Sequence, residues 1–165
     1  MNINFLFKKK TSVIIILLWP YIFLFPITFG FISIGNDFDL IYFSYKRYIA
    51  EMLVEGIVPL WSPTEGAGVS LIFNPFAQYF YIPGWINYLI HFFSKNLTLH
   101  NYVLYTISAF SIFSLGIFYW LRTLKIDHLV ALLSALLVAC SLKVTELMRF
   151  PNAAHAAAWM PWILY

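Results

Sequence analysis

Asp37 and Asp39 stand two residues apart, directly after the first long apolar run of the chain. In extended backbone, residues i and i+2 project to the same face, so both carboxylates could meet one cation or one substrate. A carboxylate held there can accept the proton of an attacking hydroxyl. On a helix the two would diverge. The pair would then read as an N-cap, with Asp39 the capping residue, and a solvated acid beside it. No His or Cys cluster accompanies them. Neither a metal nor another cofactor is therefore predicted, although a divalent cation between the two carboxylates stays open.

The elements that must position these acids follow from composition. Hydrophobic residues make up 62% of the 165 and charged residues only 10%, against about a quarter charged in an ordinary soluble domain. A chain this size cannot hide so much apolar surface in one small core, so lipid is expected as the solvent for much of it. The expected fold class is all-α: polytopic transmembrane helices, with juxtamembrane amphipathic helices in the first outer loop. Lys8, Lys9 and Lys10 precede the first apolar run and mark the N-terminus as cytoplasmic. That basic run has no interleaved aromatics and gives no sign of a nucleic-acid partner. The single Cys140 can form no intrachain disulfide.

Residues 12–34 form the first expected span, since about 20 apolar residues cross a ~30 Å hydrocarbon core, with Pro20 and Pro26 as kinks. Residues 35–98 form an outer loop. Within it Ile41, Tyr45, Tyr48, Ile49, Met52 and Leu53 recur at helical spacing, with Ser44, Arg47, Glu51 and Glu55 on another face. Gly56 suits the helix stop and Pro59 follows it. Residues 58–78 read as a Pro- and Gly-punctuated loop, and residues 79–94 as an interfacial or re-entrant helix interrupted at Pro83-Gly84. A second span is expected over 99–121 and a third over 128–142. An outer loop follows over 143–158, and the start of a fourth span over 159–165. This topology puts the basic turn Arg122–Lys125 on the same side as Lys8–Lys10. The apolar run at Tyr165 has barely begun, so the chain is expected to be the N-terminal part of a larger membrane protein, of open oligomeric state.

The order of these features resembles the GT-C superfamily of polytopic glycosyltransferases, and looks most like its YfhO-like branch. The residues that carry the resemblance are Asp37 and Asp39, Glu51–Gly56, Pro59-Leu60-Trp61-Ser62-Pro63, Gly66-Ala67-Gly68, Tyr79–Pro83, Arg122-Thr123-Leu124, and Phe150-Pro151-Asn152 with Pro161. The resemblance implies sugar transfer from a polyprenyl-phosphate-linked donor to a lipid, glycan or protein acceptor. The site would lie at the outer face of a prokaryotic plasma membrane, with membrane lipids as neighbours. By position, Asp37 or Asp39 would act near the acceptor.

An inverting transfer needs a carboxylate to take the acceptor hydroxyl's proton and a cation to hold the departing phosphate. The cations on the outer side are Lys46, Arg47, Lys95, Lys143, Arg149 and His155. Arg149 and His155 rank first because they flank the second outer loop, although Arg149 could equally snorkel to headgroups. Asn74 and Gln78 could hydrogen-bond a sugar. Trp61, Tyr79, Tyr81 and Trp85 could stack on it or line a groove for a lipid tail, and Glu65 is a further loop acid. Two other classes remain: a non-catalytic membrane module, in which Asp39 only caps a helix, and a transporter fragment. The near absence of charge within the spans weighs against the transporter.

Overall fold

A computed structural model describes residues 9–63 and 66–165. Lys8 and Glu65 lie outside the described residues. The chain is mostly helical with little strand. It divides into two compact units, one of Met1–Ile32 with Thr106–Tyr165 and one of Ser33–Tyr105.

In the first unit, α1 (Lys9–Phe23) packs on α6 (His128–Ala139). Their core is Ile16, Phe118, Ala131, Leu132 and Ala135. Ala131 and Ala135 are one turn apart, and small side chains at that spacing let two helices approach closely. Ser12 Oγ and His128 Nε2, 2.8 Å apart, share a hydrogen bond, and Ser111 Oγ donates to the Leu17 carbonyl at 2.8 Å. Asp127 caps α6 by accepting from the Leu129 and Val130 amides, and these bonds hold its carboxyl below the usual range.

The helix expected over 12–34 stops at Phe23, and a short α2 (Phe25–Thr28) follows. Pro26 has no N–H to continue the ladder. Its own carbonyl is taken by the Phe31 and Ile32 amides, which fold the chain back on itself. At 15 residues, α1 is about 22 Å long. Among the described residues, only α5 (Leu99–Thr123) is by itself long and apolar enough to cross a membrane. The segments His128–Ala139 and Lys143–Arg149 qualify as a second only if their 50° bend is counted within one broken span. Residues 143–158 are largely helical, with α7 (Leu142–Thr145), a 3-10 turn (Glu146–Arg149) and α8 (Pro151–Ala158), before α9 (Met160–Leu164).

The second unit begins with a π-helical segment, Phe38–Phe43, continuous with α3 (Ser44–Val54). The expected amphipathic pattern holds: Tyr45 and Ile49 enter a core with Leu71 and Ala77, while Arg47 and Glu51 pair at 2.8 Å on the exposed side. Past the C-cap Glu55, Gly56 takes φ +78° and the Ile57 amide closes on the Met52 carbonyl. The stretch expected as loop over 58–78 contains a small hairpin, β1 (Trp61–Ser62) against β2 (Val69–Ser70), in the register Trp61↔Ser70 and Ser62↔Val69. Gly68, at φ +98°, is required there because a Cβ would enter the Trp61 indole.

A 3-10 turn (Ile82–Gly84) leads into α4 (Trp85–Ser94), whose polarity is inverted. Its buried residues are Asn87 and His91, while Trp85, Ile86, Leu89, Phe92 and Phe93 are exposed. A helix with polar residues inside and aromatics outside is adapted to an apolar exterior.

Within the first unit Gly116 has a packing role. An added Cβ would stand 2.8 Å from Trp162 Nε1 and 2.9 Å from Pro161 Cβ, and the indole is fixed by donating to the Ile112 carbonyl at 3.0 Å. Overpacking costs about 1–3 kcal/mol, more than the ~0.5–1 kcal/mol that alanine gains over glycine in a helix. Gly116→Ala is therefore expected to destabilise the protein by about 1 kcal/mol. The check is a denaturant titration in mild detergent against wild type.

Candidate functional site

The two aspartates lie on helical, not extended, backbone. Asp37 has φ −57° and ψ −27°, and Asp39 falls in the first turn of the π-helical segment. Residues two apart on a helix point to opposite sides, so the carboxylates diverge. Neither caps the helix with its side chain, which corrects the expectation that Asp39 is the N-cap. The turn is closed instead by the Asn36 carbonyl, which accepts from the Asp39 and Leu40 amides.

The acids differ in surroundings. Asp37 is exposed. It lies close enough to Tyr42 that its charge, after burial, helps to push that hydroxyl above its usual range. Asp39 is half-buried. Its Oδ2 accepts from Ser33 Oγ at 3.3 Å, and its Oδ1 is shielded from solvent with no hydrogen-bond partner among the described residues. Segments of π-helix recur at functional positions. The described residues contain no group of three or more His, Cys, Asp or Glu arranged to hold a metal ion.

A second feature of this unit was only half visible in the sequence. Lys46, counted there with the outer cations, is completely buried. Its Nζ donates to the Gln78 carbonyl at 3.2 Å and to the Tyr88 hydroxyl at 3.4 Å, and lies 5.4 Å from the centre of the Tyr88 ring. No ion pair to it occurs among the described residues. A charged amine in such a place loses its hydration without compensation, and burial pushes Lys46 down to about 7. The signal was spacing: Lys46 lies four residues after Tyr42 and three and four before Ile49 and Ala50, all of them buried.

Beside it runs a groove of about 320 Å³ lined by Leu53, Val54, Tyr79, Trp85, Tyr88, Leu89 and Phe92. Trp85 Nε1 donates to the Tyr79 carbonyl at 3.1 Å. Tyr79 and Trp85 therefore lie where the sequence suggested a groove, while Trp61 and Tyr81 do not line it. Burial, and next the neighbouring Tyr79, hold the Tyr88 hydroxyl far above its usual range. Leu53 follows Asp39 by fourteen residues of nearly continuous helix, whereas Tyr88, on the same groove, meets Lys46, seven residues after Asp39.

The other sequence-singled residues are scattered. Trp61 is 54% exposed, with its indole against Gly68. Asn74 Oδ1 accepts from the Phe76 amide at 2.9 Å, an Asx turn. Gln78 takes left-handed backbone at φ 47°, and its Oε1 is shielded with no hydrogen-bond partner among the described residues. Arg149 and His155 belong to the first unit: Arg149 is exposed and His155 is fully buried within α8, so His155 is not a surface residue. His91, which the sequence did not mark, accepts from the Leu97 amide at 3.0 Å and closes the end of α4. Comparison with protein-family models, with characterised proteins and with solved structures finds no match to the chain.

Lys46 generates a pH prediction. The unfolded chain holds its proton up to the ordinary 10.5, the folded chain only below about 7. Between these values the unfolded state binds more protons, so stability rises with pH across the window and is lowest at its acid end and below. Lys46→Met, close in shape and uncharged, is expected to raise stability at neutral pH by a few kcal/mol and to remove that part of the slope. Denaturant titrations at neutral and alkaline pH, wild type against variant, check both.

Proposed function

We propose that this chain is part of an integral-membrane glycosyltransferase of the GT-C kind, multi-pass, with its N-terminus in the cytoplasm. It would move a sugar from a polyprenyl-phosphate-linked donor to a lipid, glycan or protein acceptor at the outer face of the membrane. The observation that carries the reading is the rod of residues 38–54, with acids at one end and an apolar aromatic groove at the other. Chemistry at one end and hydrocarbon at the other suits an amphiphilic substrate lying along it. The inverted α4, aromatic outside and polar within, supports a lipid-facing setting.

In this reading Asp39 is the better base. Oδ1 is shielded from solvent, and Oδ2, which accepts from the exposed Ser33 Oγ at 3.3 Å, is the oxygen an acceptor would meet. It would take the acceptor hydroxyl's proton as that oxygen attacks the anomeric carbon. Asp37, exposed beside Tyr42, would orient the acceptor. The second reading is a non-catalytic membrane module, and the divergence of the two carboxylates favours it.

The test is lipid-linked sugar transfer by the full-length protein in liposomes. Asp39→Asn is expected to lower turnover by about 10²–10⁴-fold and Asp37→Asn by less. Unchanged turnover in the double variant would refute the glycosyltransferase reading and leave the module.

A further inference from the structure

We propose that Lys46 is a positioning residue whose amino group latches the wall of the α3–α4 groove in a proton-dependent way. The inference stands independently of glycosyl transfer. It rests on where the two hydrogen bonds of Lys46 end. One reaches the carbonyl of Gln78, the residue immediately before Tyr79. The other reaches the hydroxyl of Tyr88 itself. Tyr79 and Tyr88 both line the groove, and Tyr79 in turn holds Trp85 through its carbonyl. One amine on α3 thus ties down both the segment entering the 3-10 turn and the face of α4.

The packing leaves this amine little freedom. A Cβ at Gly84 would stand 3.3 Å from Lys46 Nζ and 3.2 Å from the Tyr105 hydroxyl, so glycine keeps the backbone close to both groups. The titratable side chains among the described residues that bond to Lys46 or stand with it around Gly84 are phenols: Tyr88 from α4, Tyr81 from the segment before the 3-10 turn, and Tyr105 from α5. The charged neighbours on α3 itself, Arg47 and Glu51, pair with each other on the exposed side, and His91 of α4 is engaged by the Leu97 amide. No carboxylate within ion-pair distance answers a charge on Lys46 among the described residues.

A neutral amine has two N–H groups, and the two acceptors satisfy them. An ammonium has three, and no carboxylate among the described residues lies within ion-pair distance of it. Protonation therefore favours a state in which water reaches Nζ or Tyr88 gives way, and either change alters the groove. Acidification loosens the wall, and neutral to alkaline pH fastens it. The burial-lowered affinity of Lys46 for its proton puts the transition near pH 7.

The experiment uses the full chain labelled with 5-fluorotryptophan in phosphatidylcholine nanodiscs. The Trp85 fluorine resonance is assigned with Trp85→Phe and followed from roughly pH 5 to pH 9. Wild type is expected to show one inflection near pH 7 and Lys46→Met none. In Tyr88→Phe, where the ammonium loses an acceptor, the inflection moves to lower pH. A Trp85 signal that does not change with pH in wild type overturns the proposal, and so does an inflection that survives in Lys46→Met. A purely structural lysine would destabilise the fold when replaced without giving Trp85 a titration.

Discussion

At the centre of the unit Ser33–Tyr105 lies a buried amine that no carboxylate among the described residues meets within ion-pair distance. Burying an ammonium costs several kcal/mol even after relaxation, and a nearby carboxylate is the usual compensation. Lys46 has no such partner within ion-pair distance among the described residues, so the fold accepts it as a neutral donor and must supply acceptors. One is the Gln78 carbonyl, offered by a residue held at φ 47°, a backbone conformation that non-glycine residues adopt at some cost. The other is a phenol whose own ionisation is suppressed by burial. Gly84 completes the arrangement by leaving out a Cβ. The left-handed Gln78, Gly84 and Tyr88 thus meet around one buried nitrogen.

The same unit shows what its surroundings must be. Phe73, Phe80, Ile82 and Phe93 are each about two-thirds exposed or more. On α4 the amphipathic rule runs backwards, with an asparagine and a histidine inside and aromatics outside. Water would penalise that face, whereas hydrocarbon or the headgroup boundary would not.

Much of the local structure was legible in the sequence. The apolar spacing from Ile41 to Leu53 identified the amphipathic helix, and Gly56 marked its end, because helical periodicity and the left-handed stop are local rules. The run 99–121 identified α5 for the same reason. What was not legible depends on contacts. Asp39 has the composition of an N-cap, but the Asn36 carbonyl closes the turn earlier and the π-helical winding draws Asp39 inside it. Lys46 sits at a buried spacing, but its charge argued for solvent. Only the Gln78 and Tyr88 acceptors, 32 and 42 residues away, reverse that. The stop at Phe23 was indicated by Pro26 and underweighted, since a membrane helix tolerates proline when neighbours satisfy the freed carbonyls.

The acids lie at the start of the helical stretch Phe38–Val54, and the groove is lined by its last residues and by α4. In the proposed reading a molecule with a reactive polar head and an apolar tail would use both. On helical backbone the two carboxylates diverge and do not form a symmetric pair: Asp39 is half-buried and accepts from Ser33, whereas Asp37 is exposed. In the proposed reading one acid takes the proton and the other orients the acceptor, a division of work that extended backbone, with both carboxylates on one face, would not have suggested.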